Sequence, residues 1–148
     1  MRIRKKQDAS LLEVEVIVRY PVEDQEVERL LSVLHSLDKQ ILCTGEYRGL
    51  LVNASDIYYI ESVDKTTFVY LEKEVLRTEG RLYQLREKLE SAGFVQISKS
   101  CLLNINVLES IRPLMNSRME ALLSNGEKML VTRKYLGEIK SALQEAGR

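Results

Sequence analysis

Residues 94–136 decide how this chain is interpreted, and they read FVQISKSCLLNINVLESIRPLMNSRMEALLSNGEKMLVTRKYL. Two polar and basic clusters, Ser98-Lys99-Ser100 and Thr132-Arg133-Lys134, each follow an apolar run that is typical of a β-strand. Between them, Asn125-Gly126 is the dipeptide that most strongly predicts a two-strand hairpin. Small hydroxyl donors and cations at strand ends are typical of a surface that contacts phosphates and base edges.

The sequence around this stretch predicts a mainly β domain with short helices. Apolar or alternating runs, separated by glycine, asparagine and aspartate, indicate antiparallel strands in a meander. Leu82, Leu85 and Leu89 share one face of a helix predicted over 81–91, which Gly93 ends. A last helix is predicted near 134–146. The predicted strands are GLLVN, DIYYIESV, TTFVYLE, EVLRTE, FVQIS, VLESIRPL, RMEALLS and EKMLVTR.

Residues 1–40 are predicted to form a separate βα extension. The alternation in LLEVEVIVRY, residues 11–20, predicts a strand. Apolar residues at helical spacing, with acidic residues in the first turns, predict a helix over 22–37. A unit this small cannot bury its own core, so it must pack on residues 41–148 or on a second copy of the chain.

Composition permits a globular protein with a sizeable core. The chain of 148 residues is 45% hydrophobic and 30% charged, with a net charge of zero. Residues 93–148 carry 8 Lys and Arg against 5 Asp and Glu, so the positive charge is concentrated in the C-terminal part. No signal peptide and no run of 18 apolar residues is present, so we expect a cytoplasmic protein.

The chemistry needed for an enzyme or a metal site is not predicted. Cys43 and Cys101 belong to no metal-binding motif, and His35 is the single histidine. Both cysteines fit small apolar core residues of a reducing compartment. There is no glycine-rich phosphate loop and no nucleophile with a nearby base. We therefore expect no catalytic residues, no metal and no cofactor.

Nucleic-acid binding is favoured by the segments at predicted strand ends. Arginine pairs well with a guanine edge, lysine does so less rigidly, and threonine can bond a base or touch a thymine methyl group. Each segment alone would more commonly be a solvated turn, and the sequence does not show that the segments converge. The candidate DNA-binding residues are Lys65, Thr66, Thr67, Ser98, Lys99, Ser100, Arg133 and Lys134.

Residues 43–143 resemble the LytTR DNA-binding domains. The resemblance rests on DIYYIESVDKTT (56–67), FVQISKSCLLNINVLESI (94–111) and NGEKMLVTRKYLGEIKSAL (125–143). It implies an elongated, mostly antiparallel β fold that reads DNA grooves with loops, with base contacts falling on Thr67, Lys99 and Arg133. Leu130 departs from the family pattern, in which a small residue is common. Asn104 is better interpreted as a residue that bonds nearby backbone.

The resemblance also implies partners. Response regulators of this family have a receiver domain before this module, and the 40 residues here are too few for one, so we expect a stand-alone regulator. The expected partners are double-stranded DNA with paired direct repeats, a second copy in a homodimer, and a small membrane protein that restrains some stand-alone members. The alternative is a β-rich sensory or protein-interaction module that does not bind DNA.

Overall fold

The computed structural model describes residues 1–145, so the last residue of the helix predicted near 134–146 lies outside the described residues. Three α-helices alternate with two groups of strands: α1 (Gln25–Asp38), α2 (Leu82–Leu89) and α3 (Leu136–Glu145). The strands are β1 (Gln40–Thr44), β2 (Gly49–Asn53), β3 (Tyr59–Val63), β4 (Thr66–Tyr70), β5 (Val75–Thr78), β6 (Phe94–Ser98), β7 (Cys101–Asn104), β8 (Leu108–Pro113), β9 (Met119–Leu123) and β10 (Lys128–Val131).

The strands form two antiparallel sheets. The larger sheet has the order β2-β1-β5-β4-β3-β7-β6, and the smaller sheet has the order β10-β9-β8. The predicted mainly β fold with short helices is confirmed. The meander prediction holds for β3-β4-β5 and β8-β9-β10, but β3 also pairs with β7, which comes much later in the chain.

The side chains of Tyr59 and Asn104 link strands of the larger sheet to neighbouring turns and connections. The Tyr59 hydroxyl, on β3, donates a hydrogen bond of 2.8 Å to Glu127 Oε1, in the β9–β10 turn. The Asn104 Nδ2 atom donates to the Ile57 carbonyl at 2.8 Å, and Asn104 Oδ1 accepts from the Asn106 amide at 3.0 Å. The prediction that Asn104 bonds nearby backbone is confirmed.

The strand predicted over 11–20 is wrong. In the described chain these residues belong to no strand, and the side chains of Leu12 and Val14 are almost completely exposed. Alternation makes a segment suitable for a strand, but a strand also needs a hydrogen-bonded neighbour, and the described chain supplies none here. In place of the predicted βα extension there is an exposed arm without regular secondary structure, followed by a helix.

The helix predicted over 22–37 is present as α1, which starts three residues later. Asp24 caps it, because Asp24 Oδ1 accepts a hydrogen bond of 3.0 Å from the Val27 amide. The helix packs on its own chain, where Ser32 Oγ accepts from Asn106 Nδ2 at 3.2 Å and Ser36 is buried. The helix thus covers part of the β domain, as one of the two expected roles requires.

Glycines end α2 and close the hairpin where the sequence predicts. Gly93, after a 3-10 turn that follows α2, has a φ of 89°, and Gly126, between β9 and β10, has a φ of 87°. Both values lie in the left-handed region that glycine adopts without a steric penalty. A Cβ at Gly93 would come within 2.4 Å of Ser32 Oγ, so this position also sets the close approach of α1.

Candidate nucleic-acid interface

The first candidate segment forms a tight turn between β3 and β4. Val63 pairs with Thr66, and the two residues between them, Asp64 and Lys65, have φ values of 49° and 67°. Positive φ at both central residues matches the twist of a two-residue hairpin. Because lysine rarely adopts this conformation, the turn holds an exposed cation in a disfavoured backbone geometry, as binding loops commonly do.

The second candidate segment is the turn between β6 and β7. Ser98 pairs with Cys101, which leaves Lys99 and Ser100 in the turn, with the Lys99 side chain exposed. Gln96 Nε2 donates to the Lys99 carbonyl at 3.3 Å, and the Ser100 amide donates to Ser98 Oγ at 3.3 Å. These contacts use backbone groups of the turn and leave the lysine ammonium free to meet another molecule.

The third candidate segment follows β10 as a 3-10 turn over Arg133–Tyr135. The Thr132 amide donates a hydrogen bond of 3.0 Å to the Ile97 carbonyl, which anchors the start of this turn to β6. Arg133 and Lys134 are exposed, and the Lys134 ammonium lies 5.5 Å from the centre of the Tyr135 ring. The turn therefore presents two cations next to the second segment.

Strand register brings the three segments to one end of the molecule. Ser62, near the end of β3, donates from its amide to the Ser100 carbonyl at 2.8 Å, so the β3–β4 turn lies beside the β6–β7 turn. The Thr132–Ile97 bond places the third segment beside the other edge of the β6–β7 turn. The sequence does not reveal this convergence, because it depends on the pairing of β3 with β7 and on the docking of β10 against β6.

A fourth loop, between β8 and β9, joins the same surface and is missing from the sequence-based site. Asn116 and Ser117 have φ values of 64° and 58°, and the Leu114 amide donates to the Arg118 carbonyl at 2.8 Å. Arg133 Nη2 donates to the Asn116 carbonyl at 3.1 Å. Two successive left-handed residues before an arginine mark a tight loop, and Asn116 in MNSR was the available sequence signal.

The surface carries an excess of unpaired positive charge. Arg118, Arg133 and Lys134, together with Asn116, line an open depression that has no carboxylate among these lining residues. Within the described part of the chain, none of the cations of the four loops forms an ion pair with a carboxylate. These cations are Lys65, Lys99, Arg118, Arg133 and Lys134. An uncompensated cluster of this kind attracts a polyanion.

The predicted residues differ in how far they reach solvent. Lys65, Lys99, Arg133 and Lys134 are exposed, whereas the side chains of Thr66, Ser98 and Ser100 are partly buried. Thr67 is only 5% exposed, because its position on β4 directs the side chain into the protein. This burial argues against direct base contact by Thr67, although the residue lies close to the exposed turn.

The two cysteines lie in the core and take no part in this surface. Cys43 is 1% exposed and Cys101 is 3% exposed, which confirms the prediction that both are small core residues. Burial raises the pKa of the Cys43 thiol to about 11, and burial raises the pKa of Cys101 as well. Burial and a raised pKa both disfavour the reactive thiolate at neutral pH.

Tyr59 lies behind the interface, and the pKa of its hydroxyl group is also raised. Burial raises the pKa of its hydroxyl, and the hydrogen bond to Glu127 adds to the shift. The ring stacks on Tyr70, with 4.2 Å between ring centroids and an interplanar angle of 14°. This pair packs β3 against β4, the two strands that carry the first loop.

In the described residues no helix has the length and apolar character needed to cross a membrane.

Comparison with known proteins identifies the fold and the domain. The LytTr DNA-binding domain family model matches residues 47–144. The LytTr DNA-binding domain of a response regulator from Bacillus cereus superposes with a TM-score of 0.66 at 23% identity, over 70% of this chain and 95% of that one. The predicted LytTR-type antiparallel fold is thereby confirmed.

Curated relatives include longer and equally long proteins. The sensory transduction protein LytT of Enterococcus faecalis is 30% identical over 67% of this chain and 41% of its own length. The protein of the same name from Bacillus anthracis is 35% identical over 64% of this chain and 39% of its own length. An uncharacterized HTH-type transcriptional regulator from Staphylococcus aureus is 23% identical over 92% of this chain and 93% of its own length. The chain thus spans about two fifths of the LytT relatives.

Proposed function

Because the chain belongs to the LytTr DNA-binding domain family, we propose that it is a transcriptional regulator that reads a specific duplex site with loops. The observation that carries this proposal is the convergence of four cation-bearing loops at one end of the two sheets. The phosphate backbone supplies affinity for such a surface, and a few side chains at base edges supply specificity.

The arrangement of helices supports reading by loops. Among the described residues, five strands separate α1 from α2, and another five separate α2 from α3. No two of these helices form the short helix-turn-helix unit whose second helix enters the major groove. The exposed cations instead lie on turns, so in this proposal the turns enter the grooves while the sheets act as a rigid support.

The proposed roles follow from side-chain chemistry and exposure. Arg133 reads a base edge, with guanine the best match for its two parallel donors. Lys99 and Lys65 meet phosphates or base edges, and Lys134 and Arg118 meet phosphates. Partly buried hydroxyl groups at the loop bases, on Thr66, Ser98 and Ser100, bond phosphate oxygens or hold the loops. Thr67 supports the first turn from inside.

The proposed assembly is a homodimer on paired direct repeats. α1 packs on its own chain, yet Val33 and Leu37 remain 37% and 59% exposed, while Leu30 and Leu34 are only half-buried. A second copy that covered this apolar surface would link two DNA-binding modules and raise their avidity without a new DNA contact. A small membrane protein as a restraining partner and a cytoplasmic location complete the proposal.

Selection from a random pool of duplexes tests the function. The intact chain should enrich a defined sequence, and a footprint on that duplex should fall in successive grooves on one side. The matched control is a variant with Lys65, Lys99 and Arg133 replaced by alanine, which should fold and enrich nothing. A wild-type chain that enriches no sequence would leave the β-rich interaction module as the better account.

A further inference from the structure

The N-terminal arm, residues 1–20, leaves a large apolar surface exposed to water, and its amino terminus lies 3.9 Å from Glu26 Oε1 of α1. Described side chains along it include Leu12, Val14 and Ile17, which are 103%, 92% and 72% exposed, and Met1 and Ile3, which are both 82% exposed. Soluble proteins rarely leave so much contiguous apolar surface in water unless it meets a partner.

The arm consists of two irregular runs joined by a local turn. The Leu11 amide donates to the Asp8 carbonyl at 3.3 Å, and the Ser10 amide donates to Asp8 Oδ1 at 3.0 Å. The runs on either side, residues 1–5 and 12–16, belong to no strand or helix, and the chain bends at Leu12 and Glu13. Their backbone groups have no ladder partner in the described chain and are available to pair with another strand.

One antiparallel register makes the two runs complementary in charge and in hydrophobicity. When Ile3 is set opposite Val14, Met1 falls opposite Val16 on the same face. On the other face, two arginines meet two glutamates, since Arg2 then opposes Glu15 and Arg4 opposes Glu13. Directly opposed unlike charges stabilise an antiparallel pair, and directly opposed like charges destabilise it.

We propose that residues 1–5 of one copy pair with residues 12–16 of a second copy, and reciprocally, as two antiparallel β-ribbons. The inference deepens the proposed homodimer and rests on it. A two-fold axis that relates the two arms makes both pairings at once from identical surfaces. The axis applies to the arms alone, so the DNA-binding modules are free to take the same orientation on direct repeats. A hairpin closed within one chain would leave its apolar face in water, whereas two ribbons can bury their apolar faces against each other.

Charge reversal in separate copies tests the pairing. One variant carries Arg2→Glu with Arg4→Glu, and the other carries Glu13→Arg with Glu15→Arg. Either variant alone opposes like charges in both ribbons and should sediment as a monomer at micromolar concentrations where the wild type is a dimer. An equal mixture restores opposite charges in one ribbon and keeps the wild-type pairing in the other, so it should sediment as a dimer.

Three outcomes of this experiment overturn the inference. Wild-type protein that is monomeric, or single variants that remain dimeric, would show that the arm is not the interface. A mixture that remains monomeric would show that the runs do not pair between copies. Binding to a duplex with a single half-site is measured in parallel. If no form of the protein bound this duplex, the proposed function would be contradicted, while the sedimentation result on the pairing of the arms would still hold.

A disulfide pair gives an independent test that does not depend on charge. Ile3→Cys with Val14→Cys places the new thiols opposite each other, while native Cys43 and Cys101 are buried. Mild oxidation should give a covalent dimer. Ile3→Cys with Glu13→Cys is the control, since it places the thiols on opposite faces and should form far less. An internal disulfide without dimer, or no disulfide, would contradict pairing between copies.

Discussion

The guanidinium of Arg133 is held by the backbone of a loop 17 residues earlier, because its Nη2 atom donates a hydrogen bond of 3.1 Å to the Asn116 carbonyl. Asn116 and Ser117 in this loop both adopt left-handed conformations. An arginine held in this way has lost part of its conformational freedom before DNA arrives. Less ordering remains to be done at binding, which favours affinity and a defined orientation.

Replacing Arg133 should impair specificity more than general affinity. We expect Arg133→Ala to weaken binding to the selected site by about 1–3 kcal/mol, with a much smaller loss on random duplex, because a base-edge contact is lost. Fluorescence anisotropy with both duplexes at one salt concentration measures the two losses. Equal losses on both duplexes would reduce Arg133 to a phosphate contact.

Replacing Arg118 should have the opposite signature. As a phosphate contact, Arg118→Ala should weaken binding to all duplexes similarly and reduce the slope of log affinity against log salt by about one unit. Lys99→Ala provides the companion measurement, with the same expected slope change if Lys99 meets phosphate. Lys128→Ala is a control on an exposed strand cation that lies outside the four loops. An unchanged slope for Arg118→Ala would remove the β8–β9 loop from the interface.

Replacing Thr67 should barely affect DNA binding. Its side chain is 5% exposed, so Thr67→Val keeps the shape that fills β4 and removes only the hydroxyl group. We expect a change in specific affinity below about 0.5 kcal/mol, the usual range for substitutions that break no contact. A loss as large as that of Arg133→Ala, with unchanged thermal stability, would restore Thr67 as a base contact.

The buried thiol of Cys43 should make stability fall at alkaline pH. Its pKa rises from 9.0 to about 11 on folding, so the unfolded chain releases this proton first as the pH increases. The contribution of the buried thiol to the free energy of unfolding is complete below pH 9. It is lost between pH 9 and 11, at about 1.4 kcal/mol per pH unit. Urea unfolding should show that the difference in the free energy of unfolding between wild type and Cys43→Ala becomes smaller as the pH rises across this range. A gap independent of pH would contradict the assigned shift.

Local sequence signals predicted most elements because the responsible interactions are local. Gly93, Gly126 and the Asp24 cap act through their own backbone or near neighbours, and each ends or starts an element near the predicted position. Strand β7 escaped separate prediction because Cys101–Asn104 is buried on both faces and shows no alternation. The strand prediction for residues 11–20 failed for the opposite reason. The alternation typical of a strand is clear there, but no described strand pairs with these residues.

The site was predictable in its residue types but not in its assembly. Lys99 and Arg133 stand out in the sequence as cations at strand ends, and the structure places them on exposed turns. Their proximity depends on hydrogen bonds between distant segments, such as Thr132 to Ile97, which no local pattern encodes. The sequence does not single out Arg118, because its position beside Arg133 depends on how the β8–β9 loop folds.

The salt dependence of duplex binding tests the central claim most directly. If Lys65, Lys99, Arg118 and Lys134 neutralise phosphates, the log–log slope should be about −3 to −4 per module, and raising salt from 50 to 200 mM should weaken binding on the order of 100-fold. Titration of the selected duplex by anisotropy, with a scrambled duplex alongside, gives both slope and specificity. The account predicts this steep fall, with tighter binding to the selected duplex throughout. No duplex binding at 50 mM salt, or affinity that does not change with salt, would contradict it.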